Sequence, residues 1–178
     1  MEEDVIDRHC KLAIHELPSI DPQVEGVVSR IAKLDRYLDR SMAETLSAYD
    51  LTDGEYRVLL QLRLGADRER SPGDLSRSLL VSTGAMTNRL DRMEEAGLVV
   101  RKPDPRDRRG ILVALTDTGT KLIEEAVGEQ AAKEIELLTP LTLAEKKSLN
   151  GLLRKLMLSF EAKMGPPPKR TPADAEAS

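Results

Sequence analysis

The chain has no tryptophan, one phenylalanine and three tyrosines among its 178 residues. With aromatics at 2 % and hydrophobic residues at 40 %, its core has to be built from Leu, Ile, Val, Ala and Met. Cys10 is the only cysteine, which excludes an internal disulfide and a cysteine-based metal cluster and leaves an intermolecular disulfide or a redox-sensing thiol. No apolar run approaches the roughly 20 residues needed to cross a bilayer, and Met1-Glu2-Glu3-Asp4 is unlike a signal peptide. A cytoplasmic protein with no membrane partner is therefore expected. A glycine-rich phosphate loop, a nucleophile elbow and a His–carboxylate arrangement at recognisable spacing are also missing, so no enzyme and no cofactor are expected. His9 and His15 flank Cys10, but positions 9 and 10 diverge by about 100° around a helix. Metal sites need three or four converging ligands, and none is expected here.

The formal net charge of −4 argues at first against nucleic acid. Its distribution reverses that. Residues 57–110 hold 12 Lys and Arg against 8 Asp and Glu, a net of +4, while residues 1–56 hold 6 against 13 and residues 111–178 hold 9 against 10. A basic middle on an acidic scaffold suits a unit that reads DNA, although a mixed-charge solvated face is common.

The hydrophobic pattern divides the chain. Residues 5–17 predict a short helix ended by Pro18, within an N-terminal extension spanning 1–22. Val24, Val27, Val28, Ile31, Leu34, Leu38, Met42 and Leu46 recur at steps of three and four and predict a long amphipathic helix over 23–49. Thr52 with Glu55 is a capping box opening a second helix that Gly65 ends. Ser71-Pro72 opens a third. After Val81, the break Ser82-Thr83-Gly84 leads into a helix over Ala85–Ala96 closed by Gly97. Leu98–Lys102 and Ile111–Leu115 read as two strands joined by the turn-rich stretch 103–110. Helices from Thr116 to about Leu138 and from Thr142, with Glu145 as its box partner, follow; Gly165 stops the second. The expected fold is mainly α with a small antiparallel β-hairpin: a winged helix-turn-helix over 51–115, a helical dimerisation region from 23–50 and 116–164, and a disordered tail over 165–178.

The helix near Thr83 is expected to enter the major groove of double-stranded DNA. Its first residues, Ser82 and Thr83, are small and hydroxylic, letting the backbone approach phosphates. Thr87, Asn88, Arg89 and Arg92 supply donors and acceptors for bases and backbone, while Met86, Leu90 and Met93 form a core-facing stripe. An ordinary surface helix would show the same polar face. The loop tips the balance: Arg106, Arg108 and Arg109, held between two prolines and Gly110, make a cationic finger suited to a narrow minor groove. Asp107 is expected to orient one of these guanidinium groups.

Residues 23–164 resemble the MarR family of bacterial regulators. The resemblance rests on Leu75-Ser76, on the stretch from Ser82 to Glu94, on Gly97-Leu98-Val99, and on Asp104-Pro105-Arg106-Asp107-Arg108-Arg109 followed by Val113-Ala114-Leu115-Thr116-Asp117-Thr118-Gly119. It implies a recognition helix beginning at Ser82–Thr83, a wing arginine at Arg108 or Arg109 in the minor groove, and an Asp91–arginine bridge bracing the wing. Leu17-Pro18-Ser19-Ile20-Asp21 and the added helix resemble a branch that responds to urate or related carboxylates such as aconitate. A tryptophan helps form the ligand site there; this chain has none, and the implied effector is a small organic anion rather than urate. Asp53, Arg57 and Arg63 are candidate ligand contacts, against a plain reading as caps and surface charges. Cys10 invites an alternative as a peroxide-responsive thiol. The apolar stripes, with Val27, Ile31, Leu34, Leu149, Leu153 and Leu156, predict a homodimer on a pseudo-palindromic operator. Its expected action is repression by occlusion, relieved by the effector.

Overall fold

The computed structural model describes residues 3–17, 19–65 and 67–165. The tail at 166–178, expected to be disordered, and the side chain of Arg108 lie outside the described residues. The elements are α1 (Val5–Glu16), α2 (Pro22–Ala48), α3 (Asp53–Leu64), β1 (Glu69–Arg70), α4 (Pro72–Leu79), α5 (Thr83–Glu95), β2 (Val99–Asp104), β3 (Asp107–Leu115), α6 (Asp117–Leu137) and α7 (Leu143–Met164). Two compact units result: residues 41–133, and the described parts of 1–40 with 134–178.

Caps set the boundaries. Thr52 and Thr142 accept from the amides of Glu55 and Glu145, whose carboxylates bond back to the cap amides. Ser82 Oγ accepts from the Ala85 amide at 3.2 Å, so α5 begins at Thr83. The stretch expected to be a break is its first turn. Gly97 follows α5 at φ +69°, a left-handed conformation that glycine adopts without a Cβ penalty.

In unit 41–133 the core is aliphatic apart from Tyr56, with Leu59, Leu62, Leu75 and Val113 wholly buried. Leu46 of α2 and Ile123 and Ala126 of α6 are buried in the same cluster, which is why the unit extends beyond 51–115 on both sides. Between those helices the buried Thr45 hydroxyl donates to Gln130 Oε1 at 2.9 Å and accepts from Lys133 Nζ at 2.8 Å. These polar atoms are thus partnered despite burial.

The sheet has the order β1-β3-β2 and is antiparallel, with Val99 opposite Leu115, Arg101 opposite Val113 and Pro103 opposite Ile111. The strands run further than expected. A bulge at Pro103/Asp104 carries pairing to Asp104 and Asp107, leaving only Pro105 and Arg106 as the tip. Pro103 is tolerated because β2 is an edge strand, where a missing N–H breaks no ladder. Behind the hairpin, Thr116 Oγ1 donates to the Gly97 carbonyl at 2.6 Å and accepts from the Gly119 amide at 3.0 Å, locking the start of α6 onto the chain before β2.

In the other unit, α1 is fastened to α2 by Arg30. Its guanidinium donates to both Asp4 oxygens at 2.9 and 3.0 Å and to Asp7 Oδ1 at 2.6 Å. That pairing holds the Asp4 carboxyl below its ordinary pKa. α7 buries no side chain. Leu149, Leu153 and Leu156 are 40–41 % exposed, and Val27, Ile31 and Leu34 on α2 are 44–59 % exposed. Among the described residues no helix is long and apolar enough to cross a membrane.

Candidate nucleic-acid interface

α4 and α5 meet at a tight turn in which Leu80 adopts φ 48°, ψ 47°, and its amide closes on the carbonyls of Ser76 and Arg77. Met86, Leu90 and Met93, spaced by four and three, are buried. That stripe turns Thr83, Gly84, Thr87 and Asn88 outward, all exposed. Thr87 donates its hydroxyl hydrogen to the Thr83 carbonyl at 2.9 Å, which leaves its oxygen lone pairs as acceptors. Ser82 caps by accepting and keeps a hydrogen to donate. The first turn carries no carboxylate, so the positive end of the helix dipole is uncompensated. Gly84, which is not among the sequence-based contact candidates, belongs to the same face. A Cβ there would meet nothing within 4 Å, so no internal packing requires glycine at this exposed turn.

Arg89 and Arg92 point elsewhere. Arg92 Nε lies 3.6 Å from Glu55 Oε1, and the Arg89 guanidinium rests against Gly54, both in the first turn of α3. Burial raises the Glu55 pKa, but bonds from the Thr52 hydroxyl and amide and from Arg92 outweigh it and hold the group below its ordinary value.

The wing is tied to α5 by a residue absent from the sequence-based candidates. Arg101 of β2 donates to Asp91 Oδ1 and to Glu94 Oε2, each at 2.6 Å, and its amide donates to Glu94 Oε1 at 3.0 Å. Burial opposes its charge, but the two carboxylates raise its pKa overall. A signal for it exists in the sequence: two residues after buried Val99, strand alternation turns Arg101 inward, where an arginine needs counter-charges.

At the tip, Asp107 accepts from the Arg109 amide at 2.9 Å, a local turn bond to backbone. Asp104 takes a guanidinium, accepting from Arg106 Nε at 3.3 Å and from the Arg106 amide at 2.9 Å. Gly110 fits because a Cβ would stand 2.9 Å from Asp104 Cβ. Arg106 and Arg109 are exposed.

The three candidate ligand residues are not brought together. Arg57 pairs with Asp53 at 2.7 Å on the exposed face of α3, while Arg63, six residues on, pairs with Glu124 of α6 at 2.7 Å. Cys10 is 9 % exposed, with its sulfur facing Gly26 of α2.

Two helices across a tight turn, the second with an open hydroxyl-rich start, and a wing with a cationic tip define a winged helix-turn-helix protein. The family model described as MarR family matches residues 49–110. Over 143 residues the chain is 33 % identical to the transcriptional regulator PecS of Dickeya dadantii, covering 80 % of this chain and 86 % of that one. Identity to the multiple antibiotic resistance protein MarR of Escherichia coli is 38 % over 122 residues, covering 67 % and 82 %. A crystal structure of a mutant of that MarR complexed with operator DNA matches with a TM-score of 0.57 at 32 % identity, covering 82 % and 97 %. The chain belongs to the MarR family and is a DNA-binding transcriptional regulator. Its relatives bear the names of regulators rather than enzymes.

Proposed function

We propose that the protein binds a pseudo-palindromic operator as a homodimer and represses by occluding the promoter. The observation that carries this is the carboxylate-free, outward face of α5 from Ser82 to Asn88, held at a set angle to the wing by the Arg101 clamp. The α5 helices of two copies, about 34–36 Å apart, enter successive major grooves. Ser82 and Thr83 meet phosphate; Thr87 and Asn88 meet base edges; Arg106, Arg108 and Arg109 follow the minor groove. The exposed apolar stripes of α2 and α7 are covered by the second copy.

Release by a small organic anion extends this reading. Arg57 and Arg63 are already paired, so an anion bound there displaces Asp53 or Glu124 and exchanges one ion pair for another. Burial of Cys10 gives the thiol alternative less support.

Selection of bound sequences from a random duplex pool tests the assignment of α5. Asn88→Ala and Thr87→Ala are expected to relax preference at one or two operator positions, each by about 1–3 kcal/mol of discrimination. An unchanged preference in both variants removes α5 as the reading helix.

A further inference from the structure

Gly54 lies in the first turn of α3, in ordinary helical backbone, where glycine is a poor helix former. The backbone gives no reason for it. The space over it does: a Cβ at Gly54 would stand 2.7 Å from Arg89 Nε and closer still to Cζ and Nη2. The guanidinium thus lies flat on the α3 backbone. Acidic groups nearby are committed elsewhere, Asp53 to Arg57, and Glu55 to Thr52 and Arg92. Among the described residues no carboxylate is bonded to Arg89.

We propose that Gly54 is a positioning residue for DNA binding, holding the Arg89 guanidinium on α3 so that it meets a DNA phosphate and not a base edge. Arg89 sits on the flank of α5, about 100° from Asn88, beside the buried stripe. A side chain leaving that flank and laid on the neighbouring helix is directed to the wall of the groove. This rests on α5 entering the major groove.

The test is a double-mutant cycle with Gly54→Ala, Arg89→Ala and the double variant. The probes are a duplex from the region upstream of the protein's own coding sequence and a scrambled duplex of the same composition, titrated from about 50 to 200 mM salt. Arg89→Ala is expected to weaken binding to both duplexes by a similar factor and to make the log–log salt slope shallower by about 0.9 per subunit. Gly54→Ala should reproduce that loss with an unchanged or higher melting temperature, since alanine favours the helix. In the Arg89→Ala background it should add nothing. Binding by Gly54→Ala equal to the parent overturns the inference, as does an equal further loss in the Arg89→Ala background. An Arg89→Ala effect confined to the upstream duplex makes Arg89 a base reader and overturns it too. If the parent itself does not distinguish the two duplexes, the operator reading fails first.

Discussion

Gly119→Ala is expected to lower stability by about 3 kcal/mol, which for a chain of this length is roughly 6–12 °C in melting temperature. Gly119 is the third residue of α6, and its amide is the one that Thr116 caps. A Cβ there would stand 2.9 Å from the Leu98 carbonyl carbon and 3.2 Å from its Cα, with the carbonyl oxygen closer still. Those are backbone atoms, and Leu98 is held on one side by the amide of Thr116 at 3.1 Å and on the other by the Met93 carbonyl at 2.9 Å. Neither partner can turn away as a side chain would. The gain from placing alanine in a helix, about 0.5–1 kcal/mol, is too small to offset the overlap. Gly128 provides the control within α6: a Cβ there meets nothing within 4 Å, so Gly128→Ala should stabilise by about the propensity gain alone. Thermal unfolding followed by circular dichroism separates the two. A Gly119→Ala protein as stable as the Gly128→Ala protein contradicts the packing described.

Leu149→Glu with Leu153→Glu is expected to give a folded monomer whose operator affinity falls by about 10²–10⁴. Both side chains are about 40 % exposed in the single chain, on a helix that buries nothing. Charge there costs the protomer little, but in a dimer it places four carboxylates in an apolar seam. With the dimer gone, the second half-site no longer binds as an intramolecular event. Sedimentation reports the first half of the effect, twice 19.7 kDa for the parent and 19.7 kDa for the variant. A parent that sediments as a monomer at micromolar concentration removes the two-half-site account.

The helices were legible because their punctuation is local. Capping boxes at Thr52/Glu55 and Thr142/Glu145, Pro72 after Ser71 and the left-handed Gly97 act within four residues of where they sit. The outward face of α5 was legible for the same reason, from the spacing of Met86, Leu90 and Met93. The wing was half legible. Pro103 and Pro105 read as loop, and only the edge position of β2 explains how pairing continues past Pro103. β1 has two residues, too short to show a period. Pairings distant in sequence were the least legible. Arg101 reaches Asp91 ten residues back, and what Gly54 and Gly119 make room for lies 35 and 21 residues away. Asp53 and Arg57, by contrast, stand at the spacing of a surface ion pair, and that plain reading describes their geometry.

The central claim, that α5 and the wing of this regulator grip DNA together, is tested most directly by a salt titration of the Arg108→Ala/Arg109→Ala double variant. Both positions lie close to the two-residue tip of the hairpin, so stability should change by less than about 0.5 kcal/mol. Affinity for the upstream duplex should fall, with the log–log salt slope shallower by about 0.9 for each phosphate that a subunit no longer neutralises. The fall should be greatest on operators with A·T-rich flanks, where a narrow minor groove attracts arginine. Binding as tight as the parent across about 50–200 mM salt would contradict the placement of the wing on DNA.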